Sequence, residues 1–345
     1  MTYSQRLVNL LLGLAPVALA LMLSTLVLIA AGAPPLEAYK HLLQGASESP
    51  AKIADVLVVW VPLALCSAGL LFTFTAGLWN IGVEGQIIFG VIFATWVARN
   101  LYLPAMLLIP LMIVAGMIGG ALWGLLAGTL KVYGGVHEIF AGLGLNFIAI
   151  TTNIWLIAKP WRPDLGATMQ GTDPFPAAAW LPRLAGLRLS PVSLVLATMA
   201  LVVVFFILRG TLWGLQLKAI GKNARSAYLL GIATNRHMLL SFALCGALAG
   251  VAGVVQVSGV WGRNIPQISG GIGYLSLLVA MLSGFRALGV APVALFFAAL
   301  GVGAARLHLR MQLDPSLAGV LGAGLVLSVL LVAGLRTRLL ISREG

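Results

Sequence analysis

Apolar positions fall along this chain in long unbroken blocks, not in the alternation of a half-buried strand or the single stripe of a soluble helix. Leu7 to Gly32, Asp55 to Thr75, Leu103 to Leu130, His137 to Ala158, Pro191 to Leu208, Arg236 to Val260, Val290 to Ala305 and Pro315 to Leu335 are such blocks. Most approach or exceed the ~20 residues that cross a bilayer core as a helix. Two more apolar segments, from about Glu84 to Val97 and from the glycines near 270 to Arg286, are entered through glycine-rich sequence. The pattern predicts an all-α polytopic membrane protein of about ten transmembrane helices, with 1–345 as a single transmembrane domain.

Polar intervals divide the blocks. Residues 33–54 hold Pro34, Pro35, Glu37 and Lys40 beside Leu36, Tyr39, Leu42 and Leu43 at helical spacing, which predicts an amphipathic segment on the outer surface. Residues 159–190 combine prolines, glycines and two tryptophans, the composition of an extramembrane loop at a membrane interface. Residues 209–236 carry Lys218, Lys222 and Arg225 and no acidic residue. Within them Leu217, Ile220, Ala224, Ala227 and Tyr228 recur at three and four, so this basic helical stretch presents an apolar stripe that wants a partner groove. Basic residues favour the cytoplasmic side of a membrane, and ten spans place both termini there.

The stretch from Thr73 to Gly90 departs most from its surroundings. Asn80, Glu84 and Gln86 interrupt an otherwise apolar region, with Gly77, Gly82 and Gly85 among them. An ionisable group at membrane depth costs roughly 2.5 to 3.5 kcal/mol on insertion scales and is seldom left facing lipid. Broken backbone is tolerated there only where protein buries it or a cavity wets it. Gly270, Gly271 and Gly273, followed by Tyr274, open a second helix in the same manner. Two glycine-interrupted segments in corresponding places of two halves form a weak internal repeat and point to a transport path. Asn146, eight residues beyond Glu138 in the fifth span, either joins that path or makes an interhelical hydrogen bond. Glu138 either faces the same cavity or complements its helix N-terminus. The glycines at 116, 119, 120, 124 and 128 are read as helix packing.

Composition excludes several function classes. The 345 residues are 60% hydrophobic and 9% charged, with net charge +12. In a soluble chain that charge would raise nucleic acid as a partner, but no aromatic and basic interleaving accompanies it here. Cys66 and Cys245 stand alone in apolar runs, and His41, His137, His237 and His308 are scattered without ligand spacing, so no metal, cofactor or catalytic cluster is expected. No GxxxxGK[ST] occurs anywhere, so the chain lacks that phosphate-cradling loop.

The run Asn80, Ile81, Gly82, Val83, Glu84, Gly85 and Gln86, preceded by Gly77 and Leu78, resembles the signature of the nucleoside and simple-sugar branch of ATP-binding-cassette (ABC) importer permeases, relatives of the ribose and branched-chain amino-acid permeases. Gly135 to Glu138, Leu145 with Asn146, and Ala219 to Ala224 with Tyr228 and Gly231 support the likeness. The sequence departs from the family pattern at His137, Phe140 and Ala141, and at Arg286 and Ala287 where Asn-Pro is common.

The resemblance implies a multi-pass permease of the bacterial inner membrane, without catalytic residues, importing a nucleoside, chiefly purine, or a simple sugar. It implies as partners an ABC ATPase subunit, a second permease that is a paralogue, and an extracytoplasmic binding protein or lipoprotein. Leu217, Ile220, Gly221, Ala224, Tyr228 and Gly231 would form the ATPase coupling region. Asn80, Glu84, Gln86, Asn146 and Tyr274 would lie along the substrate path, Glu84 either touching solute or accepting backbone N–H groups from the second break. The alternative is an ion-coupled secondary transporter, which would work without an ATPase and titrate at Glu84 or Glu138.

Overall fold

The computed structural model describes residues 19, 21–30, 32–163, 170–311, 324, 327, 328 and 331. The start of the first expected span and nearly all of the tenth lie outside these residues. Helices, in chain order, are α1 (Leu21–Ala30), then α2 (Pro35–Ser47), α3 (Pro50–Thr75), α4 (Val83–Asn100), α5 (Ala105–Val132), α6 (Glu138–Ala158), α7 (Pro191–Gly210), α8 (Leu212–Lys222), α9 (Ala224–Leu229), α10 (Thr234–Val254, continued as a π-helical turn over Val255–Trp261), α11 (Ile272–Leu282) and α12 (Ala287–Met311). Among the described residues 6 helices are long and apolar enough to cross a membrane: α3, α5, α6, α7, α10 with its π turn, and α12. The chain is a multi-pass membrane protein.

The described residues divide into two compact units, one of 57–295 and one of 1–56 with 296–345. In the larger unit α4 is buried along most of its length, Val83 to Gln86 included. Its Glu84, Gln86, Arg99 and Asn100 lower its hydropathy, yet neighbouring helices screen it.

Small residues make that packing possible. A Cβ on Gly120 would overlap the carbonyl oxygen of Gly246, one on Gly250 that of Gly116, and one on Gly90 the Cα of Gly250. The backbones of α4, α5 and α10 therefore touch directly, the usual way to gain van der Waals contact where lipid removes the hydrophobic drive. The outward faces of α5 and α7 stay apolar and exposed, with Leu107, Ile118 and Leu122 on one and Val195, Met199 and Phe206 on the other, as a lipid solvent requires.

The loop between α6 and α7 is tied down over the end of α10. Thr172 N–H donates to Asn264 O at 2.8 Å, Phe175 N–H to Gly262 O at 2.8 Å and Leu181 N–H to Ser258 O at 3.1 Å. Phe175, Ala179 and Leu181 of the loop are themselves buried. These backbone bonds to residues about 80 to 90 positions later leave no trace in composition.

In the smaller unit α2 buries Ala38, Leu42 and Gly45. Tyr39 Oη hydrogen-bonds Ser24 Oγ at 2.5 Å and Thr25 Oγ1 at 3.0 Å, which joins α2 to α1. Leu36 and Leu43 point outward, 85% and 72% exposed, so the four-residue apolar face read from the sequence is divided between two directions.

Candidate functional site

Helix α3 ends in a Schellman motif. Gly77 has φ 75°, its N–H donates to Phe74 O at 3.0 Å, and Leu78 N–H donates to Thr73 O at 2.9 Å. This left-handed turn satisfies carbonyls that the helix end would otherwise orphan and redirects the chain into Leu78 to Gly82. Helix α11 opens differently: Gly270 and Gly271 both have positive φ, 55° and 79°, so the chain enters the helix without an ordinary N-cap side chain. Its first N–H groups need an acceptor from elsewhere.

Glu84 supplies it. From the first turn of α4 its Oε1 accepts from Gly271 N–H at 3.2 Å and its Oε2 from Gly273 N–H at 2.7 Å. One carboxylate thus faces a helix N-terminus belonging to the second break while standing at the N-terminus of the helix after the first, where negative charge is favourable. Gly273 is a glycine because a Cβ would overlap Glu84 Oε2.

The amides complete the knot. Asn146 Oδ1 on α6 accepts from Gly85 N–H at 2.8 Å, and its Nδ2 donates to Ile81 O at 2.9 Å and Tyr274 Oη at 3.2 Å. Asn80 and Gln86 exchange reciprocal amide bonds, both 3.1 Å, and Asn80 Nδ2 also meets Cys245 Sγ on α10 at 3.1 Å. Asn80, Glu84, Gln86 and Asn146 are 1%, 3%, 0% and 1% exposed, whereas Tyr274 is 41% exposed. Of the five residues expected on the path, four are therefore buried and bonded within the protein, and Tyr274 alone presents surface. Gly82 and Gly85 let α6 and Trp123 close over the break: a Cβ on Gly85 would stand 2.7 Å from Trp123 Nε1 and 3.0 Å from Asn146 Oδ1.

A model of the branched-chain amino acid transport system permease component matches residues 52–333 of the chain. The chain belongs to that permease family. Among its relatives are the glucose ABC transporter permease protein TsgB13 of Haloferax volcanii, 31% identical over 89% of this chain and 83% of that one, and the nucleoside ABC transporter permease protein NupB of Lactococcus lactis, 30% identical over 82% and 80%. The guanosine ABC transporter permease protein NupP of Bacillus subtilis is 26% identical over 94% of both chains. The latter two organisms each supply a second, more distant permease match. The permease is thus a transport subunit and not an enzyme.

Against the first break lies the stretch expected to couple to a partner. Thr211 Oγ1 caps α8 by accepting from Gly214 N–H at 3.1 Å, and Asn223 Oδ1 caps α9 by accepting from Ser226 N–H at 3.0 Å. Gly231, with φ 85°, lies just beyond α9. Leu217 and Ile220 turn inward, 0% and 2% exposed, and Ala224 is half-buried. The apolar groups left outside include Leu212 and Leu215 on α8, at 79% and 63%, and Tyr228, Leu229 and Leu230 at the end of α9, at 67%, 78% and 80%. Periodicity found the stripe but not which part of it the permease keeps for itself.

Helix α8 touches the first break. A Cβ on Gly221 would overlap Thr75 O, and one on Gly77 would stand 3.3 Å from Gly221 Cα. Two features escaped sequence reasoning altogether. Lys131 Nζ pairs with Glu138 Oε2 at 2.6 Å across the α5–α6 turn, which gives Glu138 a partner seven residues back. Ser67 Oγ donates to Ser276 O at 3.1 Å, tying α3 to α11; a serine inside an apolar run was the only available signal.

Proposed function

We propose that this permease is the membrane-spanning subunit of an ABC importer that carries a nucleoside, chiefly a purine nucleoside, or a related simple sugar across the bacterial inner membrane. The reading takes the chain as one permease domain of about ten spans with both termini cytoplasmic. A separate ABC ATPase drives it, a paralogous permease completes the path, and an extracytoplasmic binding protein or lipoprotein delivers the cargo. The contact of α8 with the first break carries the mechanism, because a partner that pushes on α8 and α9 moves Gly77 directly. Glu84 then transmits that motion to the backbone of the second break, and Asn146 to the Tyr274 hydroxyl on α11. Tyr228, Leu229 and Leu230 offer the ATPase an apolar contact.

The cargo assignment rests on the nucleoside and sugar permeases among the relatives and on a site whose exposed member, Tyr274, is polar, aromatic and uncharged. A flat ring with a hydroxyl suits stacking and hydrogen bonding to a neutral solute. Uptake of labelled guanosine, adenosine, ribose and glucose in a deletion strain tests it. With this chain, its neighbouring permease, ATPase and binding protein all restored, nucleoside uptake is expected, with unlabelled nucleoside competing and ribose and glucose not. Competition by the sugars alone would move the cargo to that class.

A further inference from the structure

A cavity of about 660 Å³ opens beside the ends of α3, α7, α8 and α12, and none of its lining residues belongs to the polar knot. Arg209, Lys218 and Arg286 stand on its wall with no acidic residue among the lining groups. All three are exposed, and none forms an ion pair with a described residue; Arg209 lies over the ring of Phe205, 5.5 Å from its centre. The remaining wall is mainly apolar: Phe205, Leu208, Phe285 and Leu288 line it beside the hydroxyl residues Thr75 and Ser283, with Phe285 and Leu288 45% and 70% exposed. Phe285 holds φ at 58°, the one positive value off glycine among the described residues, and sits beside Arg286 in the turn between α11 and α12. The apolar wall continues into the outward face of α7, where Val202, Val203 and Phe206 are 52%, 46% and 63% exposed.

We propose that this cavity binds the headgroup of an anionic phospholipid, its phosphate held among Arg209, Lys218 and Arg286 and its acyl chains laid along the exposed face of α7. Three cations without an ion pair or a neighbouring carboxylate among the described residues call for an anion, and guanidinium forks suit phosphate oxygens. Basic pockets between membrane helices are suited to lipid headgroups. The hydrophobic wall decides between sources. Inorganic phosphate has no use for Phe205, Phe285 and Leu288, and the acidic surface of a soluble subunit has none for an apolar slope running down a membrane span. Because Lys218 belongs to α8, an occupied cavity also steadies the helix that touches the first break.

The whole transporter purified in mild detergent would be titrated with phosphatidylglycerol, phosphatidylcholine or inorganic phosphate, and bound adducts counted by native mass spectrometry. Phosphatidylglycerol is expected to bind, phosphatidylcholine to bind far more weakly, and inorganic phosphate at equal concentration to leave the adduct in place. The double variant R209Q/R286Q should bind phosphatidylglycerol roughly thirtyfold more weakly, at about 1 kcal/mol per charge removed. R209K/R286K, which keeps both charges, should stay within a few fold of wild type and shows that any loss is not misfolding. Equal binding by R209Q/R286Q and wild type would overturn the proposal, as would displacement by inorganic phosphate. Unchanged lipid binding with loss of the ATPase from R209Q/R286Q would assign the cations to the protein partner instead.

Discussion

Replacing Glu84 with Ala should destabilise the permease by about 3 to 6 kcal/mol, since two backbone N–H groups each lose a charged acceptor worth about 1.5 to 3 kcal/mol. Gly271 N–H and Gly273 N–H lie at the start of a helix, where no carbonyl of that helix can reach them. A side chain in the same position could turn to another partner, which is why side-chain bonds in membranes average only about 0.6 kcal/mol; a helix N-terminus cannot turn. Glu84→Gln keeps one carbonyl oxygen but sets an amide NH2 against the other donor, so about half the loss is expected. Thermal survival of the detergent-solubilised protein reads both, and the order wild type, Gln, Ala is the expected result. If Gln and Ala left stability untouched while both abolished uptake, Glu84 would act through its charge on solute or ion, as the secondary-transporter reading requires.

The second large effect is expected at the glycine seam between α5 and α10. Gly120→Val places atoms where the carbonyl oxygen of Gly246 already stands, and the remaining neighbours are backbone too. Ordinary overpacking costs about 1 to 3 kcal/mol because side chains can shift. Here two helices must part, and α4, which rests on both through Gly90, loses its seat. The yield of monodisperse protein should fall by at least tenfold, with Tm lowered in what survives. Gly144→Ala is the matched control, because nothing lies within 4 Å of the added carbon and Ala is a better helix former than Gly by about 1 kcal/mol. Its stability should equal or exceed that of wild type. Equal tolerance of both substitutions would show that α5 and α10 are not in backbone contact.

What could be read in the sequence follows the physics of each element. The first break was legible because glycines and three polar residues are conspicuous in an apolar chain, and Gly77 does form the turn. The partner of Glu84 was legible only as one of two alternatives, since Gly271 and Gly273 are 187 and 189 residues away and nothing in local pattern chooses between solute and backbone. Asn80 pairing with Gln86 involves residues six apart across a turn, a geometry helical spacing does not predict. Cys245 reads as packing, and as an acceptor for Asn80 it still packs. In the basic interval, three-and-four spacing locates an apolar stripe, yet a stripe of either face looks alike until tertiary packing claims Leu217 and Ile220. Asn146 shows the reverse case: both offered roles were polar contacts, and it makes three of them inside the protein.

The importer account stands on energy reaching the breaks through α8 from an ATPase, and sealed vesicles containing the whole transporter test that directly. Cargo uptake would be measured with ATP inside or outside, with proton and sodium gradients collapsed, and with Leu229→Glu in place of wild type. Uptake that requires ATP at the ATPase face, survives collapse of both gradients and falls to the ATP-free level in Leu229→Glu is the predicted result. Uptake that persists without ATP and follows an ion gradient would contradict it.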